Sequence, residues 1–160
     1  MNKRLFIVFE GVDRAGKTTQ VAMLNEYLSL LKYPCNILKF PDRQTTLGKL
    51  IDYYLKAEAD VTDQAIHLLF TANRWEIFPK MQMLLDNNEI IICDRYSYSS
   101  IAYSGAKKNM DIQWCKIVES GLPKPDIVFF MDVDIGITST RQGFGDEIYE
   151  KLEFQVTYSL

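Results

Sequence analysis

The sequence contains no long hydrophobic run, few cysteines and a single histidine. None of its apolar runs approaches the roughly 20 residues of a membrane-spanning helix, so we expect no membrane association. Cys35, Cys93 and Cys115 form no CxxC pair, which favours buried free thiols in a reducing compartment. The residues before Leu5 show no signal-peptide pattern, and we therefore expect the protein in the cytoplasm, with the nucleus as an alternative. His67, the only histidine, is expected to be structural.

The sequence also lacks an excess of positive charge. It has 18 lysines and arginines against 21 acidic residues, a net charge of −3. The broad basic surface that nucleic-acid phosphates require is therefore not expected. The positive charge is instead concentrated, because every arginine except Arg4 lies beside a loop or helix motif described below. This pattern favours a small, multiply charged anion as the ligand.

Short apolar runs separated by helical stretches indicate a parallel sheet. Each run lacks polar alternation, which is typical of strands covered on both faces. The predicted strands are Leu5–Glu10, Asn36–Phe40, Glu89–Asp94 and Asp126–Asp132. Helical spacing lies over 21–31, over Thr62–Asp86 with a bend expected near Pro79, and over Asp111–Glu119. This alternation predicts one three-layer α/β domain over residues 1–160.

A loop after the first predicted strand matches the phosphate-binding pattern GxxxxGK[ST]. It reads Gly11-Val12-Asp13-Arg14-Ala15-Gly16-Lys17-Thr18 and is followed by Thr19. Backbone N–H groups of such a loop surround phosphate oxygens, and the helix that begins there adds partial positive charge. Lys17 is expected to bind the terminal phosphates, and Thr18 to offer its hydroxyl to Mg²⁺. The loop predicts a bound nucleotide but leaves the reaction open.

Three arginines are expected to meet at the carboxyl ends of the strands. Arg43 follows the strand that ends at Phe40. Arg95 follows the strand that ends at Asp94, and Arg74 projects from the long predicted helix. Ligands of open α/β sheets bind at this edge, and guanidinium groups suit a phosphate dianion. The alternative for each arginine is a surface or structural ion pair.

Two further positions have alternative interpretations. Asp94 follows four apolar residues, as does the carboxylate that orders Mg²⁺ in P-loop enzymes, but it could instead cap the next helix. Phe70 lies one turn before Arg74, where it either packs in the core or stacks on a base.

Arg14 lies inside the phosphate loop, where its side chain can reach a phosphoryl group in transit. A positive charge supplied there acts as an arginine finger in cis. The late loop over 143–150 has no basic residue of its own, although Arg141 precedes it. A lid without its own catalytic cation, at about residues 142–149, fits an enzyme whose arginine lies in the phosphate loop.

Several motifs occur in an order that resembles the thymidylate kinase family. They read GVDRAGKTT, FPDR, HLLFTANRWE, DRYSYSSIAYSGAK, SGLPKPD and GDEIYE. The resemblance runs from about Leu5 to Gln155, and the arginine in the phosphate loop is similar to the eukaryotic and poxviral branch. It implies a P-loop nucleoside monophosphate kinase fold, a homodimer, and the reaction of ATP·Mg²⁺ with dTMP to give ADP and dTDP.

The resemblance also implies roles for individual residues. Asp13 would meet the 3′-hydroxyl of the deoxyribose, thymine would stack on Phe70, and Tyr149 would pack where a ribose 2′-hydroxyl would sit. From the residues alone, Tyr149 could instead be a hinge anchor. The dTMP-binding set is expected to be Asp13, Phe40, Arg43, Phe70, Arg74, Arg95, Ser99, Ser100, Tyr103, Tyr149 and Gln155.

The remaining expected sites belong to catalysis, the donor and the metal. The catalytic residues are expected to be Arg14, Lys17, Asp94 and Arg95. The donor-binding set is Gly11, Val12, Asp13, Arg14, Ala15, Gly16, Lys17, Thr18, Thr19 and Arg141. The Mg²⁺ ligands are Thr18 and Asp94, partly through water.

Two other functions stay open. A deoxynucleoside kinase shares the phosphate loop, but it needs a carboxylate base to deprotonate a sugar hydroxyl. A nucleotide-binding protein with little turnover is the other, because family members continue beyond the position of Leu160 through a further helix and strand. For the same reason we expect an unpaired sheet edge beside Asp126–Asp132 and weak selection of adenine over guanine in the donor.

Overall fold

The computed structural model describes residues 4–141 and 147–150. In chain order, the elements are β1 (Leu5–Gly11), α1 (Lys17–Leu30), β2 (Cys35–Lys39), α2 (Thr46–Leu55), α3 (Asp63–Asp86), β3 (Ile90–Asp94), α4 (Ser97–Gly105), α5 (Ile112–Val118), β4 (Ile127–Met131) and α6 (Ile135–Thr138). A 3-10 turn follows at Ile148–Glu150. Each predicted strand and helix therefore has a counterpart within a few residues of its expected bounds.

The strands form one parallel sheet in the order β2-β3-β1-β4. β1 is central, with Phe9 opposite Asp94 of β3 and Gly11 opposite Met131 of β4. Parallel pairing places the carboxyl ends of all these strands at one edge of the sheet. The α/β fold with a parallel sheet, predicted from the sequence, is confirmed.

Side chains of β1 alternate between two hydrophobic clusters, one on each face of the sheet. Phe6 and Val8 pack with Met81 of α3 in the first cluster. Ile7 and Phe9 pack in the second cluster, to which α1 contributes. Helices therefore cover both faces of the sheet at β1, which gives the three layers that the sequence predicts.

The strand β4 departs from the expectation of burial on both faces. Ile127, Val128, Phe129 and Phe130 are 40 to 53% exposed. β4 lies at the edge of the sheet that the described residues form, where β1 pairs with it on one side. The exposure differs from the expected burial because an apolar run is buried only where other layers pack against it, and the unpaired edge beside Asp126–Asp132 stays a prediction.

Helix α2 was not predicted. The hydroxyl oxygen of Thr45 accepts a hydrogen bond from the Gly48 amide at 2.9 Å and so caps the helix. Ile51 and Leu55, one turn apart, are buried against α3 and its neighbours. This capping threonine followed by an i, i+4 apolar pair is the signal that could have identified the helix.

Helix α3 runs from Asp63 to Asp86 without a break at Pro79. Its length reflects tertiary packing, since Ile66, Phe70 and Met81 are all buried along it. No helix among residues 4–141 and 147–150 combines the length and hydrophobicity of a membrane span.

The only histidine is enclosed between α3, α4 and α5. His67 is fully buried; its Nδ1 lies 2.8 Å from the Ser104 hydroxyl, and its Nε2 lies 3.1 Å from the Cys115 carbonyl oxygen. Burial lowers the pKa of His67 below its ordinary value of 6.5, although Glu119, 3.9 Å away, acts in the opposite direction. This environment fits the structural role expected from the sequence.

We expect the protein to lose stability as the pH falls below about 6.5. The folded-state pKa of His67 is lowered, so the unfolded chain takes up the proton first, and the loss grows until the pH passes the folded-state pKa. The slope contributed by one such group is at most about 1.4 kcal/mol per pH unit. Urea unfolding at pH 7.5 and 5.5 measures it, and a His67→Gln variant is the control. An equal pH dependence in both proteins would contradict the expectation.

Candidate nucleotide-binding site

A cavity of about 430 Å³ lies against the phosphate loop. We name it the loop cavity; its lining residues are Asp13, Arg14, Gly16, Lys17, Thr18, Thr19, Lys39, Asp94, Arg95 and Arg141. The loop residues meet there with side chains at the ends of β2 and β3 and with Arg141, which follows α6. Val12 and Ala15, also in the expected donor-binding set, are buried within the loop itself.

Lys17 is a buried cation held inside the phosphate loop. Its Nζ donates to the carbonyl oxygens of Gly11 at 3.1 Å and Val12 at 2.7 Å. Burial lowers the pKa of Lys17 to about 7, and the nearby Arg95 guanidinium acts in the same direction. Negative charge placed in the loop would favour the protonated form, so the site is complementary to an anion.

The first glycine of the loop motif is required by the sheet. Gly11 has a φ of +137°, and a Cβ added to it would lie 2.6 Å from the carbonyl oxygen of Met131 in β4. Any side chain would therefore meet the backbone of the neighbouring strand. From the sequence, the loop glycines were expected only to allow phosphate contact. In the structure, Gly11 also allows the backbones of β1 and β4 to lie close together.

Thr18 and Asp94 come together at the floor of the loop cavity. The Thr18 hydroxyl donates to Asp94 Oδ2 at 2.5 Å, and Lys39 Nζ lies 3.8 Å from the same oxygen. An adjacent hydroxyl and carboxylate fit Mg²⁺, which uses few protein ligands and completes its octahedron with phosphate and water oxygens. The pair predicted as metal ligands therefore has suitable chemistry and placement.

Arg14 and Arg141 both line the loop cavity. An Nη1 hydrogen bond from Arg141 to the Arg14 carbonyl oxygen joins the chain after α6 to the phosphate loop. Arg14 itself has a φ of +61°, in the left-handed region. Two guanidinium groups thus border the space that the loop leaves for phosphates.

A second cavity, of about 190 Å³, opens beside the first. We name it the arginine cavity, because Arg43, Arg74 and Arg95 all line it. Its wall includes every described residue of the expected dTMP-binding set, namely Asp13, Phe40, Arg43, Phe70, Arg74, Arg95, Ser99, Ser100, Tyr103 and Tyr149. Gln155, the remaining member of that set, lies outside the described residues.

Asp13 and Arg95 line both cavities. Arg95 Nη2 donates to Asp13 Oδ1 at 2.5 Å, and Arg95 Nη1 donates to the Gly11 carbonyl oxygen at 3.0 Å and to Ser99 Oγ at 2.9 Å. The other oxygen of Asp13 accepts a hydrogen bond from Tyr103 at 2.8 Å. Lys39 lines both cavities as well, so these three residues lie at the junction of the two cavities.

Aromatic rings form one wall of the arginine cavity. Tyr103 and Tyr149 are stacked, with centroids 5.0 Å apart and an interplanar angle of 15°. Phe70 lies 6.5 Å from Tyr149 and belongs to the same hydrophobic cluster while also lining the cavity. Phe70 therefore packs in the core and also lines the cavity, and its stacking on a base stays a prediction.

Known proteins of one family are similar to this chain over most of its length. The family model described as thymidylate kinase matches residues 9–159. The chain belongs to the thymidylate kinase family. It is 47% identical over 156 residues to the thymidylate kinase of Dictyostelium discoideum, covering 97% of this chain and 70% of the relative. The human thymidylate kinase is 45% identical over 149 residues, covering 93% and 70%.

Viral and structural relatives agree with these matches. A protein named putative thymidylate kinase 251L, of Invertebrate iridescent virus 6, is 46% identical over 151 residues, covering 94% of this chain and 70% of the relative. The solved thymidylate kinase of Candida albicans superposes with a TM-score of 0.89 at 41% identity, covering 98% of this chain and 75% of that one. The resemblance expected from the motifs is thereby confirmed.

The three arginines of this thymidylate kinase family member are not equivalent, although the sequence analysis treated them alike. Arg74 is 1% exposed, and it donates from Nε to Glu119 Oε2 at 3.0 Å and from Nη2 to Oε1 of the same carboxylate. Thr71 donates to Glu119 as well, at 2.9 Å. Arg74 is therefore a fully buried ion pair, whereas Arg43 and Arg95, which also pair with carboxylates, have side chains that are 36% and 13% exposed. Glu119 was assigned no site role from the sequence.

Arg43 is held at the rim of the cavity by two carboxylates. Its Nη1 donates to Asp52 of α2, and its Nη2 pairs with Glu147, each at 2.7 Å. The loop that bears Arg43 fits closely on α2, since a Cβ added to Gly48 would lie 1.8 Å from the Asp42 carbonyl oxygen. Helix α2, missed in the sequence, thus positions one of the predicted arginines.

Glu10 is a further functional residue that sequence reasoning missed. Its buried carboxylate accepts hydrogen bonds from the amides of Tyr96 and Ser99 and from Ser99 Oγ at 2.5 Å. Burial raises the pKa of Glu10, while Arg95 acts in the opposite direction. Glu10 therefore caps α4, the role considered for Asp94, and through Ser99 it orients Arg95. An acidic residue ending an apolar strand was the available signal.

Proposed function

We propose that this protein transfers the γ-phosphoryl group of ATP to dTMP, giving ADP and dTDP. One observation carries the proposal: the loop cavity and the arginine cavity meet at Asp13, Lys39 and Arg95. A donor triphosphate in the first cavity and an acceptor monophosphate in the second would bring their reacting phosphates to this junction. Membership of the thymidylate kinase family supports the identity of both substrates.

In the proposed step, a phosphate oxygen of dTMP attacks the γ-phosphorus of ATP. A new P–O bond forms as the bond to the β–γ bridging oxygen breaks, and ADP leaves. The acceptor phosphate has a second pKa of about 6 and is largely a dianion at neutral pH, so no general base is needed. Catalysis then consists of positioning and charge neutralisation.

Charges on each side of the junction divide this work. Lys17 and Arg14 would neutralise the donor phosphates, and Thr18 with Asp94 would hold Mg²⁺, partly through water. Mg²⁺ supplies charge neutralisation at the donor phosphate oxygens. Arg95 and Arg43 would bind the acceptor phosphate, because both present guanidinium groups at the rim of the arginine cavity.

The nucleoside of dTMP would occupy the deeper part of the arginine cavity. Thymine would stack on Phe70, with Arg74, Ser99 and Ser100 at its polar edge. The sugar would lie between Asp13, which would accept from the 3′-hydroxyl, and the stacked rings of Tyr103 and Tyr149. Phe40, buried at the end of β2, would complete the wall, and Arg141 would lie on the donor side.

The family resemblance also supports a single kinase domain, with residues 147–149 as the described part of its lid. We propose on the same basis that the protein acts as a homodimer in the cytoplasm, with the nucleus as the alternative, and binds no nucleic acid or membrane.

A steady-state assay with ATP·Mg²⁺ tests the function against its rivals. We expect dTMP to be phosphorylated far faster than thymidine, because the acceptor arginines contribute only when the acceptor carries a phosphate. Offering dUMP and dGMP in parallel measures base selection. Equal turnover of thymidine and dTMP would favour a deoxynucleoside kinase, and no turnover of any acceptor would favour a nucleotide-binding protein.

A further inference from the structure

A buried lysine lies behind the aromatic wall of the arginine cavity. The side chain of Lys107, which follows α4, is 8% exposed. Its Nζ donates to Asp63 Oδ1 at 2.8 Å and to the Tyr54 hydroxyl oxygen at 2.9 Å. Lys107 is not among the residues lining either cavity. Any effect of Lys107 on a ligand in the arginine cavity is therefore transmitted through the residues that Lys107 contacts.

The neighbours of Lys107 connect it to Tyr149. Lys107 Nζ lies 5.1 Å from the centroid of the Tyr149 ring and 5.4 Å from that of Tyr54. The hydroxyl groups of Tyr54 and Tyr149 are 3.4 Å apart. A cation at such distances from two rings is attracted to both, and a buried cation strengthens the attraction because water is excluded.

Lys107 thus joins four parts of the chain at one point. Tyr54 lies on α2, Asp63 begins α3, Lys107 follows α4, and Tyr149 lies in the 3-10 turn at Ile148–Glu150. Because α4 also carries Tyr103, which stacks on Tyr149, the lysine fixes the turn relative to the helix that forms the cavity wall.

We propose that Lys107 is a positioning residue that sets the selection of deoxyribose over ribose in the acceptor by holding the Tyr149 ring in place. The proposal rests on the proposed function. Tyr103 donates to Asp13, so the stacked pair of tyrosines lies beside the carboxylate that would meet the sugar 3′-hydroxyl. With the sugar between Asp13 and the stacked rings, as proposed above, a fixed Tyr149 ring would exclude a 2′-hydroxyl, whereas a ring free to move would admit it.

The test compares two acceptors that differ only in the 2′-hydroxyl, dTMP and ribothymidine 5′-monophosphate. The selectivity ratio is kcat/KM for dTMP divided by kcat/KM for ribothymidine 5′-monophosphate. We expect Lys107→Met to lower this ratio by roughly tenfold, mainly through the KM values of the two acceptors, with kcat for dTMP retained. Lys107→Arg keeps a cation over the rings and should restore most of the ratio. Lys108→Met, at the exposed neighbouring lysine, is the matched control and should leave the ratio unchanged.

A second variant keeps the test decisive if Lys107→Met fails to fold. Tyr54→Phe retains the ring but removes the hydroxyl that contacts both Lys107 and Tyr149, and it should lower the ratio in the same direction. A purely structural role for Lys107 would lower the melting temperature and leave the ratio unchanged, which would overturn the proposal. A lower selectivity ratio in Tyr149→Ala, together with wild-type ratios in Lys107→Met and Tyr54→Phe, would also overturn the proposal. It would mean that Tyr149 selects the sugar without help from Lys107. Lack of dTMP phosphorylation by the wild-type protein would instead contradict the proposed function.

Discussion

Replacing Arg14 by alanine is expected to lower kcat by about 10³-fold while leaving ATP affinity nearly unchanged. Arg14 lines the loop cavity beside Lys17, where its charge would stabilise the phosphoryl group in transit more than the bound triphosphate. The loss corresponds to roughly 4 kcal/mol of transition-state stabilisation. The hydrogen bond from Arg141 goes to the Arg14 backbone, so the substitution leaves that contact in place.

Two controls separate the side chain from the backbone. Because Arg14 has a φ of +61°, alanine keeps the backbone strain that arginine already bears and glycine relieves it, and Arg14→Gly should show the same fall in kcat. Arg4→Ala removes an exposed arginine at the start of β1 and should leave kcat unchanged. The measurements are kcat at saturating dTMP and the Kd for ATP by calorimetry. A fall in kcat below tenfold would mean that another cation stabilises the transferring group.

Replacing Arg95 by alanine is expected to lower kcat/KM for dTMP by about 10²-fold or more. Arg95 joins the two cavities through Asp13, Ser99 and the Gly11 carbonyl. Its removal would delete a charge-assisted contact to the acceptor, worth about 1.5–3 kcal/mol, and would remove the guanidinium that pairs with Asp13. Both kcat and the KM for dTMP should therefore change.

The Arg95→Lys variant is the matched comparison. It keeps the positive charge but is shorter and loses the planar fork that binds Asp13 and Ser99 at the same time. We expect it to recover only part of kcat/KM for dTMP, with the KM for ATP close to that of the wild type. An Arg95→Ala enzyme whose KM and kcat for dTMP match the wild type would show that Arg95 serves only the fold.

Local sequence was sufficient for the elements whose physics is local. The phosphate loop needs a glycine-containing turn between a strand and a helix, and both flanks are visible within residues 5–30. The apolar runs of β1, β3 and β4 and the spacing of α1 and α3 likewise depend on near neighbours. The placement of Arg43 and Arg95 followed from a general rule, because every parallel strand brings its carboxyl end to the same edge.

The partners of those residues depended on tertiary structure. Glu119 neutralises Arg74 from 45 residues away, and Glu10 caps α4 and orients Ser99 across 89 residues. Such pairs are set by the three-dimensional packing of elements, which no spacing in the chain encodes. The same holds for Lys107. No pattern in the sequence around it indicates its contacts with Tyr54, Asp63 and Tyr149.

The sequence by itself thus determined the fold class, the nucleotide-binding loop and the set of side chains directed to the site. Only the tertiary structure decided which of those charges are neutralised, because ion pairing requires contact within about 4 Å. Among the described residues it also decided which apolar strand is exposed: β4 is as hydrophobic as β1, yet helices cover β1 on both faces, whereas β4 pairs only with β1 in that part of the sheet. Hydrophobicity favours burial, but the packing of neighbouring layers determines where burial occurs.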